Sequence, residues 1–278
     1  MPELPEVENI VRGIRTHIEN HKITQITINK GDVIKYPEER LFVKALENNT
    51  IKSINRRGKY IILTMADDLL LVIHLRMTGR LLFVKANDAI DKYSCIIFNL
   101  DDGNKFIYAD IRRLGTLDII TKDELPRLKG LASLGAEPLS KEFTVAYLQK
   151  ICQHTGKIKP LLLNQKYIAG LGNIYTDEAL AISKIHPARM ANSLNDKEIG
   201  ALYQAINKVI SEGIKDGGTS FRDYRNSQGK KGSHQDHLYA YNRKDKPCKF
   251  CMAPIVKITL NGRGTYFCPN CQKLDDKR

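Results

Sequence analysis

Two Cys-x-x-Cys pairs near the C-terminus constrain this chain more than any other feature: Cys248-Lys249-Phe250-Cys251 and Cys268-Pro269-Asn270-Cys271, with sixteen residues between them. That spacing is the one expected of four thiolates closing a tetrahedron around a single zinc ion. Each pair forms a knuckle, and residues 255–260 and 265–267 between them have the β-branched and aromatic content of a hairpin. So short a segment buries too little apolar surface to fold alone, and the ion would supply its folding free energy. Four thiolates leave no open coordination position, which makes one structural zinc, not a catalytic one, the expectation. Redox-active or disulfide-bonded cysteines are the competing reading. Cys95 and Cys152 stand alone, unlike a secreted disulfide framework.

At 278 residues the chain is long enough for about two domains. Its 44 Lys and Arg against 31 Asp and Glu leave a net charge of +13. Such an excess points to an anionic partner, nucleic acid first, because neutralised phosphates release counterions. Residues 226–278 hold eleven basic and only four acidic residues, so the excess gathers around the cysteines. No run approaches the roughly 18 apolar residues of a membrane span, and the N-terminus lacks the apolar stretch of a signal peptide. A soluble, intracellular protein is expected.

Val7, Ile10, Val11, Ile14 and Ile18 recur at helical spacing, so an amphipathic helix starts almost at the N-terminus. Short β-rich runs follow at 23–28, 60–64, 69–75, 81–84, 95–100, 106–108 and 117–120. Asp67-Asp68, Gly79 and Asp101-Asp102-Gly103 punctuate them. Together they predict an antiparallel β-sandwich or barrel with a leading helix over residues 1–130, the sandwich being the first expectation, within an α+β chain. Gly135 and Pro138 mark a linker at 131–140. Helical spacing then returns near 143–153, 159–164, 173–183 and 196–214, giving a helical domain over 141–225, and the cysteine-bearing segment occupies 226–278. Residues 217–231 are basic, polar and glycine-rich, and read as a mobile loop.

Three local patterns carry chemistry. Met1-Pro2-Glu3 places a secondary amine at Pro2 once the initiator methionine is removed, and an amine beside a carboxylate suits Schiff-base chemistry with proton transfer. Many chains begin Met-Pro without any such role. Gly170-Leu171-Gly172-Asn173 joins two helical segments; Asn173 at a helix start caps it and leaves N–H donors for a phosphate, or the stretch is an ordinary helix-helix turn. Asn261-Gly262-Arg263-Gly264 sits at the presumed hairpin tip and offers a guanidinium for a phosphate fork, or a solvated arginine beside a plain turn.

The order of these features resembles the formamidopyrimidine-DNA glycosylase and endonuclease VIII family over essentially the whole chain. The matching stretches are residues 1–8 (Met-Pro-Glu-Leu-Pro-Glu-Val-Glu), Arg56-Arg57-Gly58-Lys59-Tyr60, His74-Leu75-Arg76-Met77-Thr78-Gly79, residues 169–178, and residues 262–268. The first is similar to the formamidopyrimidine-DNA glycosylase branch in particular. The resemblance implies a helix-two-turn-helix DNA-binding domain and a zinc-ribbon hairpin with Cys248, Cys251, Cys268 and Cys271 as ligands. It also implies a bifunctional glycosylase and abasic-site lyase, acting on damaged double-stranded DNA as a monomer in the bacterial cytosol, held to the nucleoid through DNA. Pro2 would be the nucleophile and Glu3 its proton carrier, with Lys59 on a phosphate beside the lesion. Glu6 would support Pro2 or merely cap the helix. Asn173 and Arg263 would hold the DNA backbone, and Met77, Arg112 and Leu114 would fill the gap left by an extruded nucleotide.

Departures from the family pattern concern damage recognition. Asp110-Ile111-Arg112-Arg113-Leu114-Gly115 carries an aliphatic wedge where the family has phenylalanine. Tyr93 and Cys95 replace two histidines, and residues 229–239 lack the usual lesion-loop motif. Removal of 8-oxoguanine and formamidopyrimidines is the first expectation. A relaxed specificity reaching oxidised pyrimidines and abasic sites, or a noncatalytic damage binder, are its alternatives.

Overall fold

The computed structural model describes residues 1–220 and 231–274. Residues 221–230, most of the stretch read as a loop and including Gly229 and Lys230 of the divergent segment, lie outside the described residues. The chain divides into two compact units, Met1–Ala132 with Asp216–Ser233, and Ser133–Lys215 with His234–Arg278.

In the first unit, α1 (Leu4–Ile18) buries the predicted stripe, Val7, Ile10, Val11, Ile14 and Ile18 all being removed from solvent. Its N-cap is Glu3 in extended conformation, and Pro5 falls in the first turn, where a missing N–H costs nothing. A four-stranded antiparallel sheet runs β1 (Ile23–Ile28), β7 (Ser94–Leu100), β8 (Lys105–Asp110), β6 (Gly79–Val84). A five-stranded sheet runs β2 (Ile34–Tyr36), β9 (Thr116–Ile120), β5 (Leu70–His74), β4 (Tyr60–Met65), β3 (Ile51–Arg57). Leu81, Ile96, Phe98 and Phe106 of the first sheet share one core with Ile54, Leu63, Leu71, Ile73 and Leu117 of the second and with the buried face of α1. The expected α+β sandwich with its leading helix is present.

Several elements depart from the sequence reading, three of them within the β domain. β2 pairs parallel with β9, so the second sheet is mixed. β2 is a three-residue edge strand with no buried residue, and its partner lies some eighty residues away, so no local pattern announces it. β3 reads Ile-Lys-Ser-Ile-Asn-Arg-Arg and buries only Ile51 and Ile54, too sparse an alternation to stand out. α2 (Glu39–Leu46) is likewise short and buries only Phe42 and Leu46.

The second unit is built from α4 (Val145–Cys152), α5 (Ile158–Leu163), α6 (Asn173–Ile182) and α7 (Asp196–Lys215), α3 (Lys129–Ala132) being the last helix of the first unit before the break. Gly213 lets α7 lie against the Tyr175 ring of α6, where any Cβ would collide with it. The C-terminal hairpin pairs β10 (Val256–Leu260) with β11 (Arg263–Phe267), and β11 packs on α6. Its two-residue turn needs left-handed backbone at both positions, which Asn261 (φ 47°) and Gly262 (φ 71°) supply.

Candidate active site and metal centre

At the head of α1, Pro2 and Glu3 are buried rather than trailing in solvent. Glu6, itself 2% exposed, anchors this segment: its Oε2 accepts the Glu3 N–H at 2.8 Å and its Oε1 accepts the Thr219 N–H at 2.7 Å. Glu6 thus holds the backbone of the residue next to Pro2, which is a capping geometry.

Lys59 is the second residue of the two-residue turn between β3 and β4, after Gly58 at φ 58°. It is buried apart from a 6% remnant. Burial, then the charges of Arg76 and Lys59, push the His74 imidazole down to about 3, so it is neutral at ordinary pH. Its Nδ1 accepts the Arg76 N–H at 3.0 Å and its ring stands edge-on to Tyr60. His74 is a structural histidine behind the lysine turn.

Met77 and Leu114 are 45% and 47% exposed, which excludes a core role for either, and Arg112 is exposed beside them. What holds the Leu114 loop is Asp110, a residue to which sequence reasoning assigned no role. One Asp110 oxygen accepts Thr78 Oγ1–H at 2.5 Å and the Arg112 N–H at 3.1 Å; the other accepts Tyr108 O–H at 3.1 Å and the Gly115 N–H at 2.9 Å. A buried carboxylate satisfied by four donors makes the loop a fixed platform. Gly115 and Gly79 are both required, since a Cβ at either would strike the Tyr108 hydroxyl. The loop base also touches the altered strand, the Asp110 N–H donating to the Tyr93 carbonyl, and Tyr93 is exposed there.

In the second unit, Gly172 rather than Asn173 is the N-cap of α6. Asn173 instead donates through Nδ2 to the Gly264 carbonyl at 2.8 Å, tying the hairpin tip to the helix start, while Arg263 is exposed at that tip. Sequence reasoning missed the strongest tie. Lys159 of α5, 1% exposed, meets Asp177 Oδ1 of α6 at 2.6 Å, Thr265 Oγ1 at 2.8 Å and the Gly264 carbonyl at 3.2 Å. Asp177 Oδ2 accepts the Tyr266 N–H at 2.9 Å. Burial pushes the Asp177 carboxyl up, against the pull of Lys159 and Tyr266. The available signal was a lysine set inside the otherwise apolar run Ile158–Leu163.

The four cysteines converge with Sγ atoms all within 4.8 Å of one another. Cys251 and Cys268 are 3.4 Å apart and Cys248 and Cys271 3.9 Å, close to the edge of about 3.8 Å of a sulfur tetrahedron drawn at zinc–thiolate bond length. Phe250 and Cys271 N–H groups each point at a cysteine sulfur at 3.4 Å, as thiolate ligands require. The donor set fits one structural zinc and leaves it no open position. Gln272 fastens this knuckle, accepting the Cys268 N–H and donating to the Ile185 carbonyl.

Three family models cover the chain in the order of these parts: the formamidopyrimidine-DNA glycosylase N-terminal domain over residues 1–117, the formamidopyrimidine-DNA glycosylase H2TH domain over 134–225, and a zinc finger found in FPG and IleRS over 245–274. They describe a DNA-repair enzyme of modular build. The chain belongs to the formamidopyrimidine-DNA glycosylase family. It is 46% identical to the formamidopyrimidine-DNA glycosylase of Desulforamulus reducens over 98% of this chain and 99% of that protein. It is 42% identical to that of Pelotomaculum thermopropionicum over 99% and 100%. A crystal structure of a mutant Lactococcus lactis FPG with DNA containing Fapy-dG superposes with a TM-score of 0.91 at 36% identity, covering 98% of this chain and 100% of that one. The wild-type L. lactis protein with DNA containing an oxidised pyrimidine gives 0.90 at 36%, with the same coverage. No described helix is long and apolar enough to cross a membrane.

Proposed function

We propose that this protein is a bifunctional DNA glycosylase and abasic-site lyase that removes oxidised bases, 8-oxoguanine and formamidopyrimidines among them, from duplex DNA. The observation that carries the reading is the buried Pro2-Glu3 head of α1, anchored by Glu6, in a chain whose relatives bear the glycosylase name over their full length. Met1 is 46% exposed, open to the removal that frees the Pro2 nitrogen. That nitrogen attacks C1′ of the damaged nucleotide, the glycosidic bond breaks and the base leaves with its electron pair. Glu3 delivers the proton that opens the sugar ring, leaving an iminium on Pro2. Loss of a C2′ proton then expels one flanking phosphate, and a second elimination expels the other. Lys59 faces a phosphate beside the lesion and stabilises the charge it gains.

Arg112, Met77 and Leu114 occupy the gap left in the stack, a role their exposure on the Asp110 platform supports. Arg263 and Asn173 belong to the grip on the backbone, and zinc, when bound, folds the ribbon that presents Arg263. The protein acts as a monomer in the bacterial cytosol, held to nucleoid DNA. Borohydride should trap it covalently on abasic duplex DNA, and Pro2→Gly should abolish most of that trapping; equal trapping by both proteins refutes the assignment.

A relaxed specificity is favoured by one observation: Leu114, the exposed wedge, is aliphatic and stacks weakly on an estranged base. A relative has been captured with an oxidised pyrimidine in its DNA. A cleavage panel of 8-oxoguanine, formamidopyrimidine, oxidised-pyrimidine and abasic duplexes, each against four opposite bases, separates the two readings.

A further inference from the structure

Arg56 is the last-but-one residue of β3, and its guanidinium does two things at once. Nε donates to Glu8 Oε2 of α1 at 2.8 Å, and Nη1 donates to the Gly58 carbonyl at 3.1 Å, inside the turn whose next residue is Lys59. Glu8 is the fifth residue of α1, whose N-cap is Glu3, directly after Pro2. It also takes Arg12 Nε at 2.7 Å. Burial alone would raise the Glu8 carboxyl, but Arg56 and Arg12 hold it below the usual range, so it stays ionised. The Arg56 and Glu8 side chains are 13% and 19% exposed, so the pair is largely withdrawn from solvent.

We infer that the Glu8–Arg56 pair is a positioning strap that fixes the Lys59 turn to the helix that directly follows Pro2 and Glu3, setting the distance between the nucleophile and the cation at the departing phosphate. The physical ground is the fork of arginine: its planar donors reach the carboxylate on one side and the turn carbonyl on the other, which a lysine ammonium cannot do in fixed geometry. Two groups serving successive steps of one reaction on one sugar must hold their spacing, and a displacement near 1 Å costs on the order of 100-fold in rate. Arg56 and Glu8 are positioning residues in this reading, not groups that act on the sugar or the base. They act through Lys59.

The inference rests on the reading of Pro2 and Lys59 above, and the experiment separates the two. Full-length protein with Met1 removed is assayed on abasic duplex DNA in single turnover, scoring early borohydride trapping (imine formation at Pro2) and strand cleavage (elimination past Lys59) on the same samples. The strap predicts that Arg56→Leu, Arg56→Lys and Glu8→Gln each slow cleavage on the order of tenfold or more while trapping stays within about twofold. Glu8→Gln is the decisive variant. Removing a negative charge strengthens or spares DNA binding, so if Arg56 acted only through its charge, Glu8→Gln would leave cleavage unchanged. Unchanged cleavage in Glu8→Gln, or trapping and cleavage falling in parallel in all three variants, overturns the strap. Lys59→Met is the control: if it does not slow cleavage, the site reading itself is wrong, whereas slow Lys59→Met with normal Glu8→Gln removes only the strap.

Discussion

Lys159→Met removes one half of an ion pair whose other half, Asp177, is 1% exposed. The carboxylate cannot stay charged in that site without its cation, and breaking a buried pair costs about 3–5 kcal/mol. A ceiling follows from the alternative, in which Asp177 folds as the neutral acid. Protonating a carboxyl of ordinary pKa 3.8 costs about 5 kcal/mol at about pH 7.5 and about 3 kcal/mol at about pH 6. The variant should therefore be less stable than the parent by a few kcal/mol near neutrality. Its deficit should shrink by up to about 2 kcal/mol on acidification over that interval. The sign follows from the folded variant binding a proton that its unfolded chain lacks above pH 4, so its stability falls as pH rises. Adding Asp177→Asn to Lys159→Met should recover much of the loss and remove the pH dependence. Lys159 also holds the Gly264 carbonyl and the Thr265 hydroxyl, so duplex affinity should drop for the single variant and recover only in part for the double one. Urea unfolding of the zinc-loaded proteins at both pH values measures all four cycle corners. A single-variant loss below about 1 kcal/mol, equal at the two pH values, would mean that Lys159 does not neutralise a buried Asp177 charge.

The His74 imidazole, driven down to about 3 by burial and by Arg76 and Lys59, stays neutral in the folded protein while the unfolded chain takes a proton near its ordinary 6.5. Stability from this group is complete above pH 6.5 and is lost as pH falls toward 3, with a slope approaching about 1.4 kcal/mol per pH unit inside that window. His74→Gln should flatten the acid limb relative to the parent, and an NMR midpoint for His74 near 6.5 would contradict the geometry. Removing zinc with a chelator, or replacing Cys268 by Ser, should unfold the hairpin that bears Arg263 and cost most of the DNA affinity while leaving the far-ultraviolet β signal of the first unit largely intact. Retained affinity and an intact hairpin after chelation would exclude a structural metal.

Patterns confined to a few residues were legible in the sequence. Helix α1 was visible because its stripe repeats every three or four residues, the Asn261-Gly262 turn because only such residues accept its left-handed backbone, and the metal centre because thiolate spacing is a local property. The Pro2-Glu3 head was read from the residues as a candidate amine beside a carboxylate, and the resemblance strengthened it; the role proposed for Lys59 came from the resemblance alone, since a strand-end lysine is uninformative by itself. Parallel pairing of β2 with β9 was invisible, because it joins residues far apart in the chain through backbone groups every residue possesses.

The leading helix, most of the strands, the four main helices and the ribbon with its metal ligands were thus legible from local pattern, and Pro2 and Glu3 could be named as candidates for amine chemistry. How the buried charged groups are held was written only in the packing. Glu6 reaches Thr219 across 213 positions, Arg56 reaches Glu8 across 48, and Lys159 reaches Gly264 across 105. A buried charge is tolerated only where folding delivers its partner, so the identity of that partner is written in the packing and not in any window of the chain.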